Sequence, residues 1–318
     1  GYEYAKSGLH PKTKEEKDVL DSYGGEIIFT PGDIVYSSSA LIELDPPDIA
    51  AEKLDAVLRA EGLGFGDLRA ALASFAGKRV HVIGDTIVDS YTYTDMIGGQ
   101  TKTPTISVRY EAQRDSVGGA GVVAKHLRAA GADVTFSTVL GKDKWRDFVL
   151  EDLGKAGVKT LAIDDPTRPT TNKNAIICAG QRLLKIDTLD NRSISDRIVD
   201  LLRAQIARTD ADAAVFSDFR HGVFNPGTIP RLTDAIPAGV FRVADSQVAS
   251  RWGNITDFKG FDLITPNERE ARFALGDQDS VVRPLAQRLF EAAQCRNLIL
   301  KLGERGALTY RWRENLDD

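Results

Sequence analysis

Val82-Ile83-Gly84-Asp85-Thr86-Ile87-Val88-Asp89 is an apolar strand that ends in glycine and then presents two carboxylates four residues apart. Ligands of open α/β sheets bind beyond the carboxyl ends of the strands, so acids here can accept hydrogen bonds from a polyol. Either acid can equally serve as a cap or turn residue. Outward from this stretch, short apolar runs alternate with amphipathic helical stretches over residues 78–318. The periodicity predicts strands at 79–83, 134–139, 159–163, 213–217, 241–245, 263–265, 298–302 and 307–311. Helices are predicted at 65–75, 120–130, 145–156, 195–207 and 281–293. Repeated strand-then-helix units build an α/β domain: a mostly parallel sheet flanked by helices on both faces. Residues 91–117 and 175–187 break the rhythm with the alternating β-branched and aromatic character of exposed strands. Thr105, Ile106, Ser107, Val108 and Tyr110 carry that pattern in the first, and Ile176, Ile177, Leu183 and Leu184 in the second. Two such insertions predict a small second sheet that covers a site, a β lid.

Composition narrows the function classes. At 318 residues the chain is long enough for one large α/β domain plus a fragment of another. A hydrophobic share of 42% and a charged share of 27% are those of an ordinary globular protein, and no apolar run reaches the ~18 residues of a membrane span. The formal charge of −5 leaves no basic stripe for a nucleic-acid backbone, so neither nucleic acid nor membrane is expected as a partner. Cys178 and Cys295 are far apart and outside any CxxC or Cys/His cluster, which fits a reducing, cytoplasmic setting without zinc or disulfides. His10, His81, His126 and His221 are scattered without metal spacing and read as surface or satisfied core residues.

Three further stretches carry candidate chemistry. Val117-Gly118-Gly119-Ala120-Gly121-Val122-Val123-Ala124 contains a literal GxGxxA, but the preceding Glu111–Ser116 is polar where a dinucleotide fold needs an apolar strand. What remains is a Gly-Gly turn opening a helix, where backbone N–H groups can approach a ligand or simply allow tight packing. In Thr265-Pro266-Asn267-Glu268-Arg269-Glu270, Asn267 and Glu270 have the spacing of a capping box. Glu270 could also act through water on Mg²⁺, which keeps most of its waters and takes few direct protein ligands. Leu300-Lys301-Leu302-Gly303-Glu304-Arg305-Gly306-Ala307 is a strand, a GxxG turn and another strand.

Taken in this order, these motifs resemble the ribokinase/PfkB carbohydrate kinase family over residues from about 78 to the end. The matching positions are Asp89, the Gly118-Gly119 pair, the two lid insertions, Asn267-x-x-Glu270 and Lys301-Leu302-Gly303-Glu304-Arg305-Gly306. Gly84–Tyr91 and Gln181–Asp187 look most like heptose-phosphate kinases, the kinase half of bifunctional ADP-heptose synthases. The resemblance implies ATP and Mg²⁺ as cofactors and a sugar or sugar phosphate as substrate. It implies Asp85, Asp89, Gly118, Gly119 and Lys185 on the sugar, and Asn267, Glu270, Lys301, Gly303 and Gly306 on the nucleotide and Mg²⁺ side. Glu270 is the metal candidate, and Asp218 and Asp245, each closing an apolar strand, are expected on the nucleotide rim. A homodimer formed through the lid belongs to the same expectation. Val122 and Ala175 stand where the family places Asn and the heptose kinases Arg.

Residues 1–45 resemble the end of a cytidylyltransferase-like domain, through Gly1-Tyr2-Glu3-Tyr4, Gly24-Gly25-Glu26-Ile27-Ile28-Phe29 and Tyr36-Ser37-Ser38-Ser39. Residues 46–77, broken by Pro46 and Pro47 and containing a helix at 48–60, read as a helical linker to the kinase domain of 78–318. The Gly-Ala-Gly-Asp motif that supplies the family's anion hole and aspartate base is not in the chain, nor is the transferase motif His-x-Gly-His. The expectation is therefore a piece cut at both ends, inactive by itself, with its catalytic base beyond residue 318. Two other classes are weighed: a non-catalytic sugar or nucleotide sensor, and an NAD-dependent oxidoreductase.

Overall fold

A computed structural model describes residues 49–98, 105–247 and 255–311, together with Asp18, Val19 and Ser22. The cytidylyltransferase-like stretches, including Ser37–Ser39, lie outside the described residues, as does the polar end after Arg311. Internal contacts divide the chain into a unit ending at Leu68 and one beginning at Arg69. Ile49–Glu61 forms the helix α1, and α2 (Phe65–Ala73) spans the boundary.

The second unit then runs β1 (Arg79–Gly84), β2 (Thr86–Gly98), β3 (Ser107–Gly119), α3 (Ala120–Ala129), β4 (Asp133–Leu140), α4 (Lys144–Lys155) and β5 (Lys159–Asp164). It continues through β6 (Thr171–Cys178), β7 (Gln181–Thr188), α5 (Asp196–Arg208), β8 (Ala213–Asp218), α6 (Thr228–Thr233) and β9 (Phe241–Ser246). β10 (Leu263–Ile264), α7 (Glu268–Leu275), α8 (Val282–Ala293), β11 (Asn297–Lys301) and β12 (Ala307–Arg311) complete it. The large sheet has eight strands in the order β12-β11-β10-β9-β8-β1-β4-β5, parallel except for β12. Successive side chains of a strand point to opposite faces. On β1, Val82 joins a core cluster with Phe136 and Leu153, while Ile83 joins another with Phe216 and Leu202. Burial on both faces is why these strands read as continuous apolar runs.

The small sheet has the order β3-β2-β6-β7, with β2 and β6 parallel and the outer pairs antiparallel. β2 begins earlier than the sequence predicts, leaving β1 after one residue, and β3 ends later, running straight into α3. Exposure over 91–117 is corrected in part: all of β7 is exposed, as expected, but Thr92 and Thr94 of β2 are buried, as are Thr86–Val88 and Ser90 before them. That interior is polar: Asn172 Nδ2 donates to Ser90 Oγ at 2.8 Å, and Thr92 Oγ1 donates to Asn174 Oδ1 at 2.9 Å. Hydroxyls satisfied across strands can be buried at little cost, and this hid β2's position from an apolar-pattern reading.

The strand order also locates the ligand crevice. From β1 the chain builds outward through β4 and β5, then returns to the other side of β1 and builds through β8, β9, β10 and β11. The order reverses between β1 and β8, and in open α/β sheets ligands bind at such a switch point, beyond the carboxyl ends of the strands.

Candidate functional site

At the switch point the β1–β2 junction holds the loop after β8. Asp85 is 3% exposed, and its carboxylate accepts the backbone N–H groups of Phe219 (2.9 Å), His221 (3.2 Å) and Val223 (3.3 Å). Burial pushes its carboxyl up, and the three amides pull it back down. Its oxygens thus fix the loop after β8 from the β1–β2 junction. Asp218, the last residue of β8 before that loop, is buried as well. It is 1% exposed, pairs with Arg220 at 3.2 Å and accepts from Ser246 Oγ at 2.9 Å. Burial and the neighbouring Asp85 charge both push its carboxyl up.

Asp89 is more open than Asp85. It is half-buried, with its carboxyl raised by burial and lowered by Lys173 and Lys185. Strand register explains this company. Asp89 pairs with Ser116 on β3 and Lys173 on β6, and Lys173 pairs with Asp187 on β7. Side chains opposite one another on paired strands share a face, so these residues form one row across the lid. Lys185 stands one row along on the same face, across from Ala175. Its ammonium lies 3.4 Å from Asp187, whereas Lys173 makes no ion pair among the described residues. Burial and the Lys185 charge hold the Lys173 ammonium below its ordinary value.

Both glycines of the Gly118-Gly119 pair are required by geometry. A Cβ on Gly118 would overlap Asp89 Oδ2, so the carboxylate rests against bare backbone. Gly119 has φ +59°, and a Cβ there would lie 2.5 Å from Asp85 O. The pair closes a strand and caps α3 rather than making a separate turn. The strand before it belongs to the antiparallel part of the lid, so the GxGxxA string lacks the parallel strand of a dinucleotide site.

A second group gathers further along the same edge. Asn267 and Glu270 form the predicted capping box, Glu270 N–H donating to Asn267 Oδ1 at 2.9 Å and Asn267 N–H to Glu270 Oε2 at 2.7 Å. Glu270 is buried, and this desolvation raises its carboxyl, with Asp245 adding to the rise and Lys301 opposing it. Lys301 Nζ donates to Asp245 Oδ1 at 2.9 Å, and Thr265 Oγ1 donates to the same oxygen at 3.0 Å. Gly303 and Gly306 bracket a one-turn 3₁₀ segment with φ of +64° and +90°. No group of three or more Asp, Glu, His or Cys that could hold a metal occurs among the described residues. The donor set does not fit a protein cage for Mg²⁺; it fits a hydrated ion carried by phosphates, with Glu270 and Asp245 reached through water.

The expected residues thus separate into Asp85, Asp89, Gly118, Gly119, Lys185 and Asp218 at one end, and Asp245, Asn267, Glu270, Lys301, Gly303 and Gly306 at the other. Sequence reasoning missed Lys173, which only the β2–β6 register brings beside Asp89, and His221. His81 fits the satisfied reading, 2.8 Å from Ser137 Oγ, but His221 does not: its Nε2 is buried without a partner among the described residues. The stretch Ser217-Asp218-Phe219-Arg220-His221, polar but for Phe219 and following an apolar strand, was the signal that could have found it.

Comparison with known proteins agrees with this fold. The chain is 31% identical over 240 residues to the bifunctional protein HldE of Desulfatibacillum aliphaticivorans, covering 73% of this chain and 48% of that protein. It is 29% identical over 235 residues to the D-beta-D-heptose 7-phosphate kinase of Bordetella bronchiseptica, covering 73% of each. The chain thus spans about half the length of the HldE proteins it matches. Escherichia coli phosphofructokinase-2 with fructose-6-phosphate shares the fold at TM-score 0.60 and 16% identity, covering 75% of this chain and 78% of that one. A carbohydrate kinase from Agrobacterium tumefaciens does so at TM-score 0.59 and 19% identity, covering 74% and 73%. The pfkB family carbohydrate kinase model matches residues 78–316, and the chain belongs to that family.

Proposed function

We propose that the chain is the kinase part of an enzyme that uses ATP to phosphorylate a hydroxyl of a sugar phosphate of the heptose 7-phosphate kind. The observation that carries this reading is the Asp89 row: a half-buried carboxylate resting on Gly118, with the Lys173 and Lys185 ammonium groups beside it under the lid. Asp89 accepts hydrogen bonds from sugar hydroxyls and fixes their orientation. Lys173, half-desolvated and without an ion pair among the described residues, faces the substrate's own phosphate. Lys301, Asn267, Glu270 and the Gly303–Arg305 turn form the nucleotide side, where bound Mg²⁺ would neutralise charge on the transferring phosphates. Catalysis on such a frame is positioning and electrostatic stabilisation, with water excluded when the lid closes.

Three finer points belong to the same proposal. Fusion to a nucleotidyltransferase rests on the resemblance of residues 1–45. Pairing of two copies through the lid is supported by Leu184 and Ile186 on β7, 57% and 51% exposed. A cytoplasmic setting agrees with two buried free cysteines, and no helix among the described residues is long and apolar enough to cross a membrane. Calorimetry tests the central claim. The protein should bind heptose 7-phosphate, and Asp89→Asn should weaken that binding by at least about tenfold while leaving ATP affinity unchanged. Equal losses for both ligands would make Asp89 structural and remove the reading.

A further inference from the structure

The loop that Asp85 holds presents a buried ring nitrogen, His221 Nε2, without a partner among the described residues. His221 is 9% exposed, its backbone N–H donates to Asp85, and its carbonyl accepts from Arg168 Nη1 at 3.3 Å. Its ring is fixed by Asn191, whose Oδ1 lies 2.7 Å from Nδ1. A carbonyl oxygen at Nδ1 requires the proton there, so Nε2 carries a bare lone pair. That nitrogen has no hydrogen-bond partner among the described residues, and a buried acceptor left unmatched is costly. The surroundings do not let the ring escape. Gly222 has φ +103°, a Cβ on it would overlap Arg192 O, and Phe224 packs on Phe216 with ring centroids 5.0 Å apart.

The imidazole lines a cavity at the root of the lid with Asp85, Thr86, Arg168, Thr171 and Asp190. Thr171 is two residues before Lys173 on β6, hence on the same face and one row, about 7 Å, below the Asp89–Lys173 row. Burial lowers the His221 imidazole, with Lys173 and Lys185 adding to the fall and Asp187 opposing it. Arg168 cannot fill the cavity's needs: its guanidinium is taken by Asp165 and by the carbonyls of His221, Arg192 and Ser193.

We propose that His221 is a sugar-reading residue: Nε2 accepts a hydrogen bond from a substrate hydroxyl at the base of the cleft, one strand row below the group held by Asp89. The assignment rests on the reading of this end as the sugar site, and it adds a specificity element to it. An acceptor-only nitrogen selects a hydroxyl at that position and rejects a deoxy analogue, which would leave the buried lone pair unmatched.

The test uses the full chain with ¹⁵N-labelled histidine and heptose 7-phosphate as the probe. In the free protein the His221 ring should show the Nδ1–H tautomer, and adding heptose 7-phosphate should shift the Nε2 resonance while ATP alone leaves it in place. His221→Phe should weaken heptose 7-phosphate binding roughly 10- to 100-fold, His221→Gln should recover part of the loss, and neither should change ATP affinity. A wild-type Nε2 resonance that heptose 7-phosphate leaves unmoved, with Asp89→Asn still weakening binding, overturns the role of His221, assigns its nitrogen to a buried water, and leaves the kinase reading standing. Failure of the wild-type protein to bind heptose 7-phosphate at all overturns both.

Discussion

The two ends of the sheet edge are built differently. At the β1–β8 end, Asp85 serves three amides, and a Cβ on Gly84, Gly118 or Gly119 would collide with its neighbours. At the β9–β11 end, a Cβ on Gly303 or Gly306 would meet nothing within 4 Å, and the Lys301 and Asp245 side chains remain 45% and 33% exposed. The difference follows from position in the sheet. β1 and β8 are central and lie beneath α3 and the lid root, while β11 is followed only by the antiparallel edge strand β12. At the central end the geometry of the cleft and fold stability are therefore one property; at the outer end the positive φ of two glycines, rather than close packing, sets the turn.

Asp85→Ala should break the central end most severely. Three backbone N–H groups would lose their acceptor in a buried loop, lowering stability by on the order of 4 kcal/mol in urea unfolding. A loss below about 1 kcal/mol would mean that the loop is not held from β1, and the contrast would collapse.

Acid should act next. Burial lowers the imidazoles of His81 and His221 to about 4, so from about pH 6.5 downward the unfolded chain takes protons that the folded state refuses. Their contribution to stability is intact above pH 6.5 and is lost as the pH falls toward 4. Asp218 works in the opposite sense, since its raised carboxyl keeps a proton that the unfolded chain has already released. Comparing wild type with His81→Gln isolates the histidine: the variant should lose up to about 3 kcal/mol less between pH 7 and pH 4, read from urea midpoints. Parallel curves for the two proteins would place His81 in contact with water.

Gly118→Ala sharpens the comparison at the level of ligand. The new methyl would displace the Asp89 carboxylate, so heptose 7-phosphate should bind about tenfold more weakly and ATP as before, by calorimetry. The outer end should be mildest. Glu270→Gln can still accept from Asn267 N–H, so stability should change by less than about 0.5 kcal/mol. The Mg²⁺ concentration needed for half-maximal ATP binding should rise a few-fold. An unchanged Mg²⁺ dependence would leave Glu270 with its capping role alone.

Local order was legible in the sequence. The parallel strands announced themselves as continuous apolar runs, and the Asn267-x-x-Glu270 spacing gave a capping box that the fold contains. Strand ends at Asp218 and Asp245 were found to within a residue. The helix α6 was not, because its six residues include Pro230 and carry too little periodicity to register.

What only the tertiary structure decided is which of these pieces meet. Asp89 and Lys173 are joined by parallel pairing between strands 84 residues apart, a register no local pattern encodes. The roles of Asp85 and His221 depend on the reversal of strand order at β1 and β8, which sets a carboxylate from residue 85 against amides 134 to 138 residues later. Sequence determines what a residue can do through its chemistry and its nearest neighbours. Whether a carboxylate serves the fold or a ligand depends on which donors reach it first, and long-range packing decides that.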